Sequence, residues 1–62
     1  MIQVNLKTIK KGDEVFYIPR YTEFKKERGV VSSKNDRYVF VKYDGNFTAQ
    51  ATNPEDLFIE DK

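Results

Sequence analysis

Apolar residues along this chain recur mostly at a spacing of two, in short runs separated by turn residues. The clearest case is residues 29–45, GVVSSKNDRYVFVKYDG. Two β-rich runs, 30–33 and 38–43, flank the polar connector Lys34-Asn35-Asp36-Arg37, and Asp44-Gly45 closes the second. β-Branched and aromatic runs bounded by turn residues predict a β-hairpin. Alternation within the second run sets Val39, Val41 and Tyr43 on one face and Tyr38 and Phe40 on the other. Upstream, Ile2, Val4 and Leu6 alternate with Gln3 and Asn5, which predicts a short strand. Residues 7–13 (KTIKKGD) read as a basic connector ending in the turn pair Gly12-Asp13. Glu14-Val15-Phe16-Tyr17-Ile18 is the next strand, ended by Pro19, which has no ladder donor. Residues 45–52 (GNFTAQAT) predict a further strand with Phe47, Ala49 and Ala51 on one face. Asn53-Pro54-Glu55-Asp56 predicts a single 3₁₀ turn, with Pro suited to its first position and the acids to its start. Leu57-Phe58-Ile59 closes the pattern. The expected core is Val15, Val31, Val39, Val41 and Leu57.

The stretch between Arg20 and Arg28, RYTEFKKER, has Tyr21 and Phe24 three apart. A single helical turn would fit, but nine residues are too few for an independent helix. It reads as a long ordered loop whose two aromatics fold back over the end of the β structure.

Size sharpens the picture. Sixty-two residues make one domain, 1–62, near the lower limit for a single unaided core. There is no Cys, so neither a disulfide nor a thiolate metal site can staple it, and an intracellular, cytoplasmic origin is expected. Residues 2–6 are too short and too polar for a signal peptide or a membrane span. The load falls on aromatics: five Phe and four Tyr, each able to bury roughly 150–250 Å². An all-β, closed architecture with an aromatic core is the expected solution.

Charge and chemistry narrow the function. The net charge of +1 hides an asymmetry: residues 1–42 carry ten Lys/Arg against five Asp/Glu, whereas residues 43–62 carry only Lys62 against five acids. With no His and no Cys, general-base work at neutral pH would fall to carboxylates or a perturbed Lys. Ser32 and Ser33 have no evident activating base. The acids at Asp13-Glu14, Asp44 and Glu55-Asp56 stand in turns, where turn chemistry explains them. Three scattered glycines make no phosphate cradle. No enzyme, cofactor or metal site is expected.

The order of elements carries a resemblance. Gly12-Asp13-x-Val15 and Gly29-x-Val31 resemble the first two strands of KOW-type domains. The third strand with Val39, Val41, Tyr43 and Gly45, followed by Asp56-Leu57, resembles Tudor-type domains. The chain thus looks like an SH3-like small barrel of Tudor/KOW type. This resemblance implies five strands, an additional short N-terminal strand, and a 3₁₀ turn before the last strand. GVVSSKNDRYVFVKY followed by NPEDL also resembles small accessory proteins encoded in bacteriophage genomes, which implies a host cytoplasm as the place of action.

Binding is the activity left, and three surfaces compete for it. Tyr17, Tyr43 and Phe47 are candidate members of an aromatic cage, which the Tudor likeness implies would hold a methylated Lys or Arg by cation–π attraction. Lys7, Lys10, Lys11, Arg20, Lys25, Lys26, Arg28 and Arg37, interleaved with Tyr21, Phe24 and Tyr38, form a basic set that could follow a phosphate backbone. The KOW likeness implies RNA or ribosomal protein as the corresponding partner. The third surface is the sheet edge and its apolar rim; the strand Ile2 to Leu6 is a further edge that could pair with a partner or with a second copy as a homodimer, or could cover the barrel's own hydrophobic end in a monomer. A protein partner is the expected ligand, which the phage likeness implies is a host protein that the chain modulates; RNA or single-stranded DNA is the alternative. The expected binding residues are Arg20, Tyr21, Phe24, Lys25, Lys26, Arg28, Arg37 and Tyr38.

Overall fold

The computed structural model describes residues 1–19 and 26–60. These form six strands: β1 (Ile2–Gln3), β2 (Glu14–Tyr17), β3 (Glu27–Lys34), β4 (Val39–Tyr43), β5 (Gln50–Thr52) and β6 (Leu57–Ile59). A 3₁₀ turn, Pro54–Asp56, precedes the last strand. All six lie in one antiparallel sheet in the order β1-β6-β2-β3-β4-β5, so the hydrogen-bonded ladder is not closed and β1 and β5 are its edges. Both edge strands are short, two and three residues. No helix among the described residues is long and apolar enough to cross a membrane.

Alternation decides the inner face. Val39, Val41 and Tyr43 of β4 are buried while Phe40 is half-buried and Lys42 exposed. Val15, Val31, Val39, Val41 and Leu57 are all 2% exposed or less, the five positions expected from the pattern. Each such side chain contributes about 1.5–3 kcal/mol on burial. Gly29 lies on the same face of β3, and a Cβ there would stand 2.5 Å from Val41 Cγ1 and 2.9 Å from Tyr43 Cδ1. β3 can therefore cross β4 this closely only without a side chain. A bulge between Val31 and Ser33 then shifts the register. Beyond it Lys34 pairs with Val39.

Three segments depart from the pattern. The strand expected over 45–52 is paired only at β5, because Gly45 turns at φ 86° and Asn46 N–H donates to the Tyr43 carbonyl. Phe47 consequently stands 97% exposed and shares no buried face with Ala49 and Ala51. At the other end of the chain, β1 ends at Gln3, and one further bond, from Val4 N–H to the Leu57 carbonyl at 2.9 Å, is the last in its register with β6. The Asn5 carbonyl accepts from Thr8 and Ile9 N–H, and the Asn5 side chain accepts from Lys7 N–H at 2.9 Å. This turn buries Ile9 to 4% within the core, although it falls in the stretch expected to be a basic connector. Finally, β3 starts at Glu27, three residues before the expected strand.

Candidate functional site

At the end of the sheet where β2, β4 and β5 meet the start of β3, the inner face opens into a cleft of about 410 Å³. Its walls follow from strand phase. Tyr17 continues the inward series begun by Val15, Tyr43 continues that of Val39 and Val41, and Glu27 stands two residues before inward-facing Gly29. Tyr17 and Glu27 are direct cross-strand partners. The two tyrosine rings meet edge to face, with centroids 6.0 Å apart and planes at 68°. Such an arrangement places the partly positive edge of one ring against the negative face of the other.

The floor and far wall come from the segment around β5. Thr52, 7% exposed, shares a 2.7 Å hydrogen bond with the Tyr43 hydroxyl and satisfies that buried polar group. Asn53 caps the 3₁₀ turn through its side-chain oxygen, which accepts from Glu55 N–H at 2.9 Å. Ile18 N–H donates to the Asp56 carbonyl at 2.9 Å, tying the turn to the end of β2 and fixing Asp56 at the cleft wall. Asn46, Gln50 and Asn53 add amides to the rim.

Among the described residues, the cleft lining therefore holds two carboxylates, Glu27 and Asp56, two tyrosines and three amides, and no cation. Neither carboxylate has an ion pair or a side-chain hydrogen bond among the described residues. Their field reaches Tyr43, whose hydroxyl pKa is raised above 10. Burial is the main cause; the Thr52 hydrogen bond opposes it, and electrostatic interactions with Tyr17, Glu27 and Asp56 add to it. Paired aromatic rings and free carboxylates on one lining suit a cation.

The residues singled out from the sequence are not brought to one place. Arg20, Tyr21, Phe24 and Lys25 lie outside the described residues. Lys26 places its Nζ 4.5 Å from the centroid of the Phe16 ring. Arg28 bridges Glu14 and Asp44 at 3.2 Å each, and its guanidinium pKa is raised, chiefly by the Asp44 hydrogen bond. Arg37 and Tyr38 sit at the opposite end of β3, in the turn to β4, with their N–H groups donating to Asn35 Oδ1 at 2.8 and 2.7 Å. The ring of Tyr38 is on a residue 42% exposed. Of the cage candidates, Tyr17 and Tyr43 meet, whereas Phe47 stands out in solvent on the β4–β5 connection.

Glu27 and Asp56 are what sequence reasoning missed. A signal for Glu27 existed: it shares the inward phase of Gly29 and Val31, and a charged residue in that phase marks a strand end opening to water. Asp56 was legible only as a turn acid. Among the described residues, no cluster of three or more His, Cys, Asp or Glu side chains could hold a metal ion. No protein-family model, curated protein or solved structure matches the chain.

Proposed function

We propose that this chain is a non-enzymatic binding module for a protein partner, and that the Tyr17–Tyr43 cleft takes a basic side chain of that partner. The observation that carries the reading is that Glu27 and Asp56, neither ion-paired among the described residues, line one cleft with two tyrosine rings and with no cation among the described residues. A lysine or arginine side chain would lay its alkyl stem along the rings and bring its charge to the carboxylates. The strand order and the 3₁₀ turn before β6 support reading the fold as an SH3-like small barrel of Tudor/KOW type. The phage likeness makes a modulated host protein the kind of partner to seek.

Calorimetric titration with n-butylammonium, butyltrimethylammonium and butyrate tests this. Both cations are expected to bind at about millimolar affinity, near −4 kcal/mol, and butyrate not at all. Glu27→Gln should weaken the cations by up to about fivefold, the upper range for a solvent-exposed ion pair. Equal heats for butyrate and the cations, or cation binding indifferent to Glu27→Gln and Asp56→Asn, would overturn the proposal.

A further inference from the structure

β5 is the terminal strand of the sheet. It pairs with β4 through Val39, Phe40 and Val41 on one side, and on its other side its backbone has no hydrogen-bond partner among the described residues. Gln50 and Ala51 are exposed. All three residues of β5, Gln50, Ala51 and Thr52, line the cleft that holds Tyr17, Tyr43, Glu27 and Asp56. An open strand edge and an acidic, aromatic cleft are thus one continuous surface.

We infer that the partner engages this surface as an extended segment, adding a strand to the free edge of β5 and setting a lysine or arginine into the cleft. This rests on the proposed cation-binding role of the cleft and adds the backbone form of the ligand. The physical case has two parts. A free strand edge offers unpaired N–H and C=O groups whose best partner is another strand. Side chains on an added strand alternate between faces, so an inward-facing side chain aligned with the cleft reaches its mouth while its neighbours remain outside. The carboxylates select the charge of that side chain, and the strand edge selects the conformation around it. β5 is only three residues long, so the ladder supplies register while the cleft supplies most of the discrimination.

The test uses three blocked hexapeptides of alternating Val and Thr on the intact chain. One carries a central Lys, one carries Gln in its place, and one is the Lys peptide N-methylated at alternate residues so that it cannot form a ladder. Binding is followed by amide and side-chain NMR, with hydrogen exchange of the Gln50–Thr52 amides as the strand-specific readout. The Lys peptide is expected to bind, shift Tyr17, Tyr43 and Glu27, and slow exchange at β5. N-methylation should weaken it by about fivefold for each ladder bond lost, and the Gln peptide should bind more weakly than the Lys peptide. If the N-methylated peptide binds as well as its parent without protecting β5, the added strand is wrong and the cation cleft stands. If n-butylammonium binds but no peptide does, the inference fails alone. If neither amine nor peptide shifts the tyrosines, both readings fall. A Gln peptide that binds as tightly as the Lys peptide while protecting β5 would retain the edge and remove the cleft, which also overturns the inference as stated.

Discussion

The two ends of β3 start from the same design and finish differently. Each end carries a charged residue aligned with the inner face: Glu27 before Gly29 and Val31 at one, Lys34 opposite Val39 at the other. Lys34 is consumed by the protein itself. Its Nζ donates to the carbonyls of Leu6 at 2.7 Å and Lys7 at 3.3 Å, holding down the turn that buries Ile9. Glu27 has no such partner among the described residues and faces Tyr17, Tyr43 and Asp56 across a cleft. A charge whose hydrogen bonds are met within the chain is structural, whereas one left beside aromatic rings is available to a ligand. The lesson is that the free acid points to the site better than the abundant cations do.

If the Lys34 end is a plug and the Glu27 end a site, substitutions should separate stability from binding. The largest effect belongs to the plug: Ile9→Ala should cost about 2–5 kcal/mol in denaturant unfolding, as for other buried Ile truncations. At a temperature where the variant remains folded, its affinity for butyltrimethylammonium should match the parent's. A loss of affinity in the folded variant would mean that the ends are coupled.

Gly29→Ala should be next, at about 1–3 kcal/mol for overpacking, because its Cβ would collide with Val41 and Tyr43 and approach the Lys42 carbonyl to 3.0 Å. Unlike Ile9→Ala, it should weaken cation binding as well, since Tyr43 is a cleft wall. Stability loss with intact binding would show that Tyr43 yields elsewhere.

Tyr43→Phe removes the buried hydroxyl bond to Thr52 and should cost about 0.5–1.5 kcal/mol. It should also change the response to alkali. Because the folded pKa of Tyr43 is raised above its ordinary value of 10.0, folding favours the neutral phenol. Its contribution is fully present below about pH 10 and falls as pH rises through the folded pKa. The parent should therefore lose more stability above about pH 10 than Tyr43→Phe does, measured by urea midpoints across that range. Parallel curves would place the hydroxyl in solvent.

The smallest effect concerns the cations of the plugged end. Lys7, Lys10, Lys11 and Arg37 have no side-chain ion pair among the described residues, yet Asp13 and Asp36 lie among them in sequence. Few phosphates would be neutralised, so duplex DNA or RNA should bind weakly at about 0.15 M salt and release as salt rises. Saturable sub-micromolar binding lost in Lys10→Glu/Lys11→Glu would transfer the functional role to this end.

How much of this was legible in the sequence depends on whether a feature repeats. Strand phase repeats, so alternation alone sets Val39, Val41 and Tyr43 on one face, and Pro54 followed by Glu55 and Asp56 announces the 3₁₀ turn. Ile9 was not legible: a single apolar residue between Thr8 and two lysines has no period, and only the Asn5-centred turn carries it inward. Alternation extended through Gly45 puts Phe47 on a strand, but the positive φ of Gly45 breaks it. The tyrosines of the cleft were visible as aromatics, but their convergence with Asp56 depends on the tie between Ile18 and the 3₁₀ turn, a contact across the chain that no local pattern encodes.

The most direct test of the central claim is a residue-resolved NMR titration of the intact chain with a blocked Ala-Lys-Ala tripeptide. Shifts converging on Tyr17, Glu27, Tyr43 and Asp56, and absent for Ala-Glu-Ala, are the predicted result. Shifts clustered instead around Lys7, Lys10 and Tyr38 with Ala-Glu-Ala, and none at the tyrosine cleft with either peptide, would contradict it.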